Sequence, residues 1–150
     1  MRQAMSGEKI LVLNATGKVG RNTCRALIEA GFHVYGTTRS KASDLEALGV
    51  HPVICNYTER HEIDRAFAIT GAKKIISVTD FFGAAKSKPD IEIQHGKAAI
   101  DAAKAAGVDH FIFVSVVDAE LVNEHVIHFK TKVAIEDYLR KSGIPFSILR

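Results

Sequence analysis

The chain has 150 residues, 47% of them hydrophobic and 25% charged, which suits one globular domain with a real core and is short for two. Its formal charge of +3 comes without a block of Lys or Arg, so charge gives no argument for direct nucleic-acid binding. Two cysteines cannot build a disulfide framework, and no apolar run approaches the about 18 residues of a membrane span.

The opening "MRQAMSGEK" lacks the apolar core of a secretion signal, which makes the cytoplasm the expected compartment. "KILVLN" (9–14) reads as a buried strand, followed by a helix over 18–30 that Gly31 stops. "HVYGTT" (33–38) is the second strand, and "ASDLEAL" a short helix ended by Gly49. "HPVICN" (51–56) is the third strand; the helix after it takes Thr58 as N-cap and ends before Gly71. "KKIISVTD" (73–80) is the fourth strand, and a loop with Gly83 and Pro89 leads to a helix over 90–106, closed by Gly107. "HFIFVSVV" (110–117) is the fifth strand, a last helix covers 129–141, and "PFSILR" (145–150) begins a sixth strand. Cys24 falls in the first helix and Cys55 at the end of the third strand, as two reduced core thiols would.

Strands separated by helices pair in parallel through crossovers, because a hairpin cannot join parallel neighbours. The strand runs also lack alternation, as expected of a sheet covered on both faces. The pattern predicts an α/β doubly wound parallel sheet in the order 3-2-1-4-5-6, with right-handed crossovers.

In such a sheet the first strand-to-helix turn lies where ligands bind, and the free N–H groups of the helix start favour phosphate. The turn here is "NATGKVG". Gly17 would let a diphosphate approach the backbone, and Gly20 would let the helix pack close to the strand. Asn14 stands where a first glycine is usual, and Asn tolerates a left-handed backbone. Two glycines that merely tighten a turn are the bland alternative. Lys18 either adds charge near the phosphates or is a solvated lysine.

The second strand ends in "TTRSK" (37–41). A cofactor with a free ribose 2′-hydroxyl usually meets Asp or Glu there, about 20 residues past the turn. No carboxylate is present to repel a 2′-phosphate, and Arg39 can fork onto one. NADP is thus favoured and NAD remains an option; exposed basic residues on a turn are the alternative.

"LVLNATGKVG", "SVTDFFGA", "EIQHGKAAIDAAKAAGVDHFIFVS" and "HFKTKVAIEDYLRKSGIPFSILR" resemble the NmrA-like family, atypical members of the short-chain dehydrogenase/reductase superfamily. The likeness covers nearly the whole chain. It implies a Rossmann-type domain that binds NAD(P), used by non-catalytic redox-sensing regulators or by NAD(P)H-dependent reductases. By position it places Thr16, Gly17, Lys18, Val19 and Gly20 at the diphosphate and Arg39 at the 2′-phosphate. Asn56 and Tyr57 fall on the adenine side, where an acidic residue is commoner than Asn, and Thr79, Asp80 and Phe81 beside the ribose and nicotinamide.

A full reductase of that superfamily uses Ser, Tyr and Lys, the last two as Y-x-x-x-K on one helical face. Here His128 and Lys132 occupy those positions. Lys132 can bond the nicotinamide ribose; His128 is an acid–base candidate or a helix-start residue without chemistry. Ser115 reads as a strand-end residue bonded to backbone, since the catalytic serine falls two residues later, at Val117. His125 and His128 lack companion ligands, so no metal is expected. Phe129, Val133, Tyr138 and Leu139 read as a core-facing stripe, and Phe81 and Phe82 as loop packing or ligand stacking at the mouth of the site.

The sequence stops at Arg150 as the sixth strand forms, where the family continues into a substrate-binding portion. The expectation is one cofactor-binding domain over 1–150, truncated after strand 6, either a fragment or a site completed by another chain. A protein partner or a homo-oligomer formed at the last strand's edge is the expected association. Two functions follow: an NADP(H)-binding redox-sensing or regulatory module, or an NAD(P)H-dependent reductase of quinone-like or small carbonyl substrates. An inert fragment is the third, blander reading.

Overall fold

The computed structural model describes residues 7–119, 121 and 126–150. The elements run β1 (Lys9–Leu13), α1 (Lys18–Glu29), β2 (His33–Thr38), α2 (Ala42–Glu46), β3 (His51–Ile54), α3 (Arg60–Thr70), β4 (Lys74–Ser77), α4 (Pro89–Ala106), β5 (His110–Val114), α5 (Ile127–Lys141) and β6 (Phe146–Leu149). All strands pair in parallel in one six-stranded sheet, ordered β3-β2-β1-β4-β5-β6, as the alternating pattern predicts.

Burial on both faces explains the unbroken apolar runs. On one face Leu11, Leu13, Ile75, Phe111 and Phe113 pack against Ile63 and Phe67 of α3, Ile100 of α4, and Ile135 and Leu139 of α5. On the other, Ile10, Val12, Val34 and Ile76 meet Cys24 of α1 and Leu45 of α2. A β-carbon at Gly96 would lie 2.6 Å from Ile135 Cδ1, so α4 and α5 approach closely there. Such close packing fixes the relative position of the two helices that carry the polar groups described below.

Several boundaries move. β4 ends at Ser77 rather than 80, and β5 at Val114 rather than 117. Past those residues the chains leave the ladder at the carboxyl edge of the sheet, where β1 and β4 diverge toward opposite crossovers and open a crevice. The third helix begins at Arg60 after Glu59, so Thr58 is not its N-cap. The Thr58 hydroxyl instead donates to Asn56 Oδ1 at 2.9 Å, the local bond that Asn and Thr favour in turns.

The expected stripe on α5 is also rotated. Leu139 is buried, but Phe129 and Val133 are only half-buried, and Tyr138 donates its hydroxyl to Asp101 Oδ1 at 2.6 Å. The buried side carries Thr131, Lys132, Ile135, Glu136 and Leu139. A hydrophobicity pattern cannot find that face, because three of its members are polar and are accepted inside only through their partners.

Candidate functional site

The crevice begins where β1 ends. Asn14 has φ 60°, the left-handed conformation its identity permits. Its N–H donates to Thr37 Oγ1 at 2.8 Å and to the Tyr57 hydroxyl, and the Ala15 N–H donates to the Thr37 carbonyl at 3.0 Å, so the turn is tied to the end of β2. The two glycines then differ. A β-carbon at Gly20 would stand 2.2 Å from the Asn14 carbonyl oxygen; glycine is required there for α1 to approach β1. At Gly17 a β-carbon would meet nothing nearer than 3.8 Å, and φ is −69°, so neither packing nor backbone conformation requires glycine.

Gly17 is also the N-cap of α1, with no side chain capping the helix and no acidic residue in its first turn. The free N–H groups of that turn and the helix dipole are therefore available to an anion. Asn14, Thr16 and Gly17 form a wall of a cleft of about 230 Å³, completed by Thr38, Arg39, Ser40, Lys41, Tyr57 and Asp80. Arg39 is exposed, and no carboxylate pairs with it among the described residues. Asp80, the one carboxylate of this wall among the described residues, accepts from the Gly83 N–H at 2.8 Å and the Ala84 N–H at 3.1 Å, which turns its charge into the loop. Lys18 is exposed and Val19 is 47% exposed, and neither lines the cleft.

Deeper in, Leu13, Asn14, Tyr57, Thr79, Asp80 and His95 border a second, narrow cavity that shares Asn14, Tyr57 and Asp80 with the first. Tyr57 thus stands between the two. Its hydroxyl reaches Thr37 Oγ1 and the Asn14 N–H, and burial pushes its pKa well above the usual phenol range. Asn56 stays out of both cavities: its side chain accepts from Thr58, and its N–H donates to Glu62 Oε2 at 2.6 Å.

His95 gave no signal as a site residue in the sequence. It is 6% exposed, borders the inner cavity, and its Nε2 has no partner among the described residues. Burial, reinforced by the Arg39 charge, holds its pKa below the usual imidazole range. A buried polar atom without a partner is rare and marks a place where a further group fits.

Lys132 is not free. It is 8% exposed, its ammonium is ion-paired with Glu92 Oε1, and it donates to Thr79 Oγ1 at 2.6 Å. Glu92, fully buried on α4, also accepts from the Thr79 hydroxyl at 2.7 Å and from the Thr131 hydroxyl at 2.7 Å. The sequence contains this signal: Glu92, His95, Ala99 and Ala103 recur at helical spacing on one buried face of α4, and a carboxylate among alanines there needs a cation.

The His128 ring lies apart from that network, although the His128 carbonyl accepts from the Thr131 hydroxyl at 2.9 Å. The ring packs with Phe81, Phe82 and Phe129 at centroid distances of 5.7, 5.3 and 4.8 Å. Phe81 belongs to this cluster and lines neither cavity. Ser115 follows β5, its N–H donates to the Leu149 carbonyl at 2.7 Å, and Val117 is 64% exposed. His125 lies outside the described residues, and among those described no cluster of His, Cys, Asp or Glu could hold a metal. No described helix is long and apolar enough to cross a membrane.

The model of the NmrA-like family matches residues 6–150. The chain belongs to that family. Among curated NmrA-like relatives, the photosystem II assembly factor Ycf39 of Cyanophora paradoxa is 30% identical, over 94% of this chain and 44% of that protein. The NAD(P)H azoreductase of Xenophilus azovorans is 34% identical, over 69% of this chain and 34% of that protein. The fold matches the Citrobacter triphenylmethane reductase complexed with NADP(H), with a TM-score of 0.79 and 24% identity, over 95% of this chain and 48% of that one. The chain thus spans less than half the length of these proteins.

Proposed function

We propose that the crevice binds NADP(H), with the diphosphate on the turn of Asn14, Thr16 and Gly17, and Arg39 on the 2′-phosphate. The observation that carries this reading is Gly17. It is a glycine that the fold itself does not need, at an uncapped helix start, on the wall of a cleft whose other side offers Arg39, Ser40 and Lys41. The orphan Nε2 of His95 and the carboxylate of Asp80, already engaged by backbone, suit the same ligand. The azoreductase relative carries NAD(P)H in its name, and the Citrobacter reductase was solved with NADP(H). Titration calorimetry with NADP and NADPH tests the reading directly.

Within these 150 residues the reading is a regulatory module, whose liganded state a protein partner or a second copy senses. His128 replaces the usual tyrosine and packs among three phenylalanines, while Lys132 is held by Glu92 and Thr79. No acid–base pair is assembled between them. The nicotinamide itself would supply hydride chemistry; the chain's residues bind it and exclude water. Incubation of the protein with NADPH and quinones should show no substrate-dependent loss of nicotinamide absorbance.

One observation favours the second reading, an NAD(P)H-dependent reductase. Phe82, 68% exposed, packs against His128 at the same edge of the sheet and offers an apolar surface to a quinone-like or small carbonyl substrate. Turnover lost in Lys132→Ala with NADPH binding retained would establish it.

A further inference from the structure

We propose that Glu92 is a positioning residue of this crevice: it fixes Lys132 and Thr79 in the geometry that meets the nicotinamide-side ribose, and so sets how much that half of the dinucleotide adds to binding. The proposal rests on the NADP(H) reading above.

Glu92 lines neither cavity, whereas Thr79 lines the inner one. Glu92 therefore acts through its partners. A carboxylate can only accept hydrogen bonds, which dictates the direction of every bond around it. The Thr79 hydroxyl gives its proton to Glu92 Oε1 at 2.7 Å, so its oxygen is left to accept, and it accepts from Lys132 at 2.6 Å. Oε2 accepts the Thr131 hydroxyl at 2.7 Å, and Thr131 is the residue before Lys132 on α5. One carboxylate on α4 thus anchors the end of β4 and the buried side of α5 together.

The ammonium has three donors. Two are directed at Glu92 Oε1 and Thr79 Oγ1; the third meets the Thr79 carbonyl oxygen at 3.4 Å, at the limit of a hydrogen bond. That long contact is the one a ribose hydroxyl would replace. Lysine's four-carbon stem is otherwise flexible, and holding it in place before the ligand arrives removes an ordering cost from binding.

Three proteins test this: wild type, Glu92→Gln, and the double variant Glu92→Leu with Lys132→Met. The double variant removes both members of the buried pair at once, which proteins tolerate far better than the loss of one. Thermal unfolding verifies that each is folded. Calorimetry then compares NADPH with adenosine 2′,5′-bisphosphate, which carries the adenine side and the 2′-phosphate but no nicotinamide. Wild type should bind NADPH at least about tenfold tighter than the fragment, and this ratio should fall to about threefold or less in both variants while fragment affinity stays within about twofold. A ratio that survives in the folded variants, or an equal loss for both ligands, overturns the proposal, because a merely structural role weakens both alike. Wild type that binds the two equally also overturns it and leaves the NADP(H) reading standing. Wild type that binds neither refutes the NADP(H) reading and this proposal with it.

Discussion

A β-carbon on Gly20 would stand 2.2 Å from the carbonyl oxygen of Asn14, whereas one on Gly17, three residues earlier, would make only ordinary contact with Asn14 at 3.8 Å. The two glycines of one motif therefore answer to different demands, one to the fold and one to whatever occupies the crevice. Gly20→Ala should destabilise the protein by about 2 kcal/mol or more, since backbone rather than a flexible side chain must give way. Gly17→Ala should leave stability unchanged or raise it by about 0.5 kcal/mol, because its φ suits alanine. The same change should weaken NADPH about tenfold by intruding on the diphosphate. Denaturant unfolding and calorimetry on the two variants check the contrast.

Arg39 has no carboxylate partner among the described residues and lines the cleft. Arg39→Ala should weaken NADPH by roughly 10- to 100-fold, the loss of one charge-assisted fork, and leave NADH within about twofold. Equal losses for the two would show that Arg39 does not read the 2′-phosphate.

Both cysteines should be inert in the folded chain. Burial pushes the thiols of Cys24 and Cys55 up to about 11 from 9.0; at Cys55 the Glu62 charge adds to this and Arg65 opposes it. Alkylating reagents near pH 8 should modify them only after denaturation, since the thiolate is the reactive form. Because the folded values exceed the unfolded ones, the stability they contribute is whole below pH 9.0 and is lost as pH rises through about 11. Replacing both with alanine should flatten the fall in melting temperature over that window.

Glu136 predicts the opposite edge. Burial alone would raise its pKa, but the Arg150 and Arg140 guanidinium groups bonded to it outweigh burial and hold it below its ordinary 4.5. Arg150 Nη2 and Arg140 Nη2 donate to its Oε2 at 2.7 and 3.1 Å. A lowered folded value means stability that is present above pH 4.5 and lost as pH falls through the folded pKa. Thermal melts in acid should show wild type losing stability more steeply than Glu136→Gln below that point.

The fold was legible because its signal is period and punctuation: apolar runs in β1 and β5, glycines 71 and 107 closing α3 and α4, and a glycine turn after the first strand. Asn14 and Gly20 behave as their chemistry requires. The interior polar network was not legible as a unit. Lys132 could be placed by its four-residue spacing from His128, yet its partner Glu92 lies 40 residues away on another helix, and the packing of α4 on α5 brings them together. Thr58 is not the cap because the helix starts at Arg60, with Glu59 at the N-cap position, and the Thr58 hydroxyl is engaged by Asn56, two residues before it. The buried face of α5 escapes a hydrophobicity pattern for the same reason as Glu92: Thr131, Lys132 and Glu136 are accepted inside through their partners, and composition does not display the pairing.

The most direct measurement of the central claim is calorimetric titration of the folded protein with NADPH and, separately, NADH. One site per chain is expected, saturable by NADPH and about tenfold or more weaker for NADH. A protein that unfolds cooperatively yet takes up neither dinucleotide at about 1 mM would contradict it.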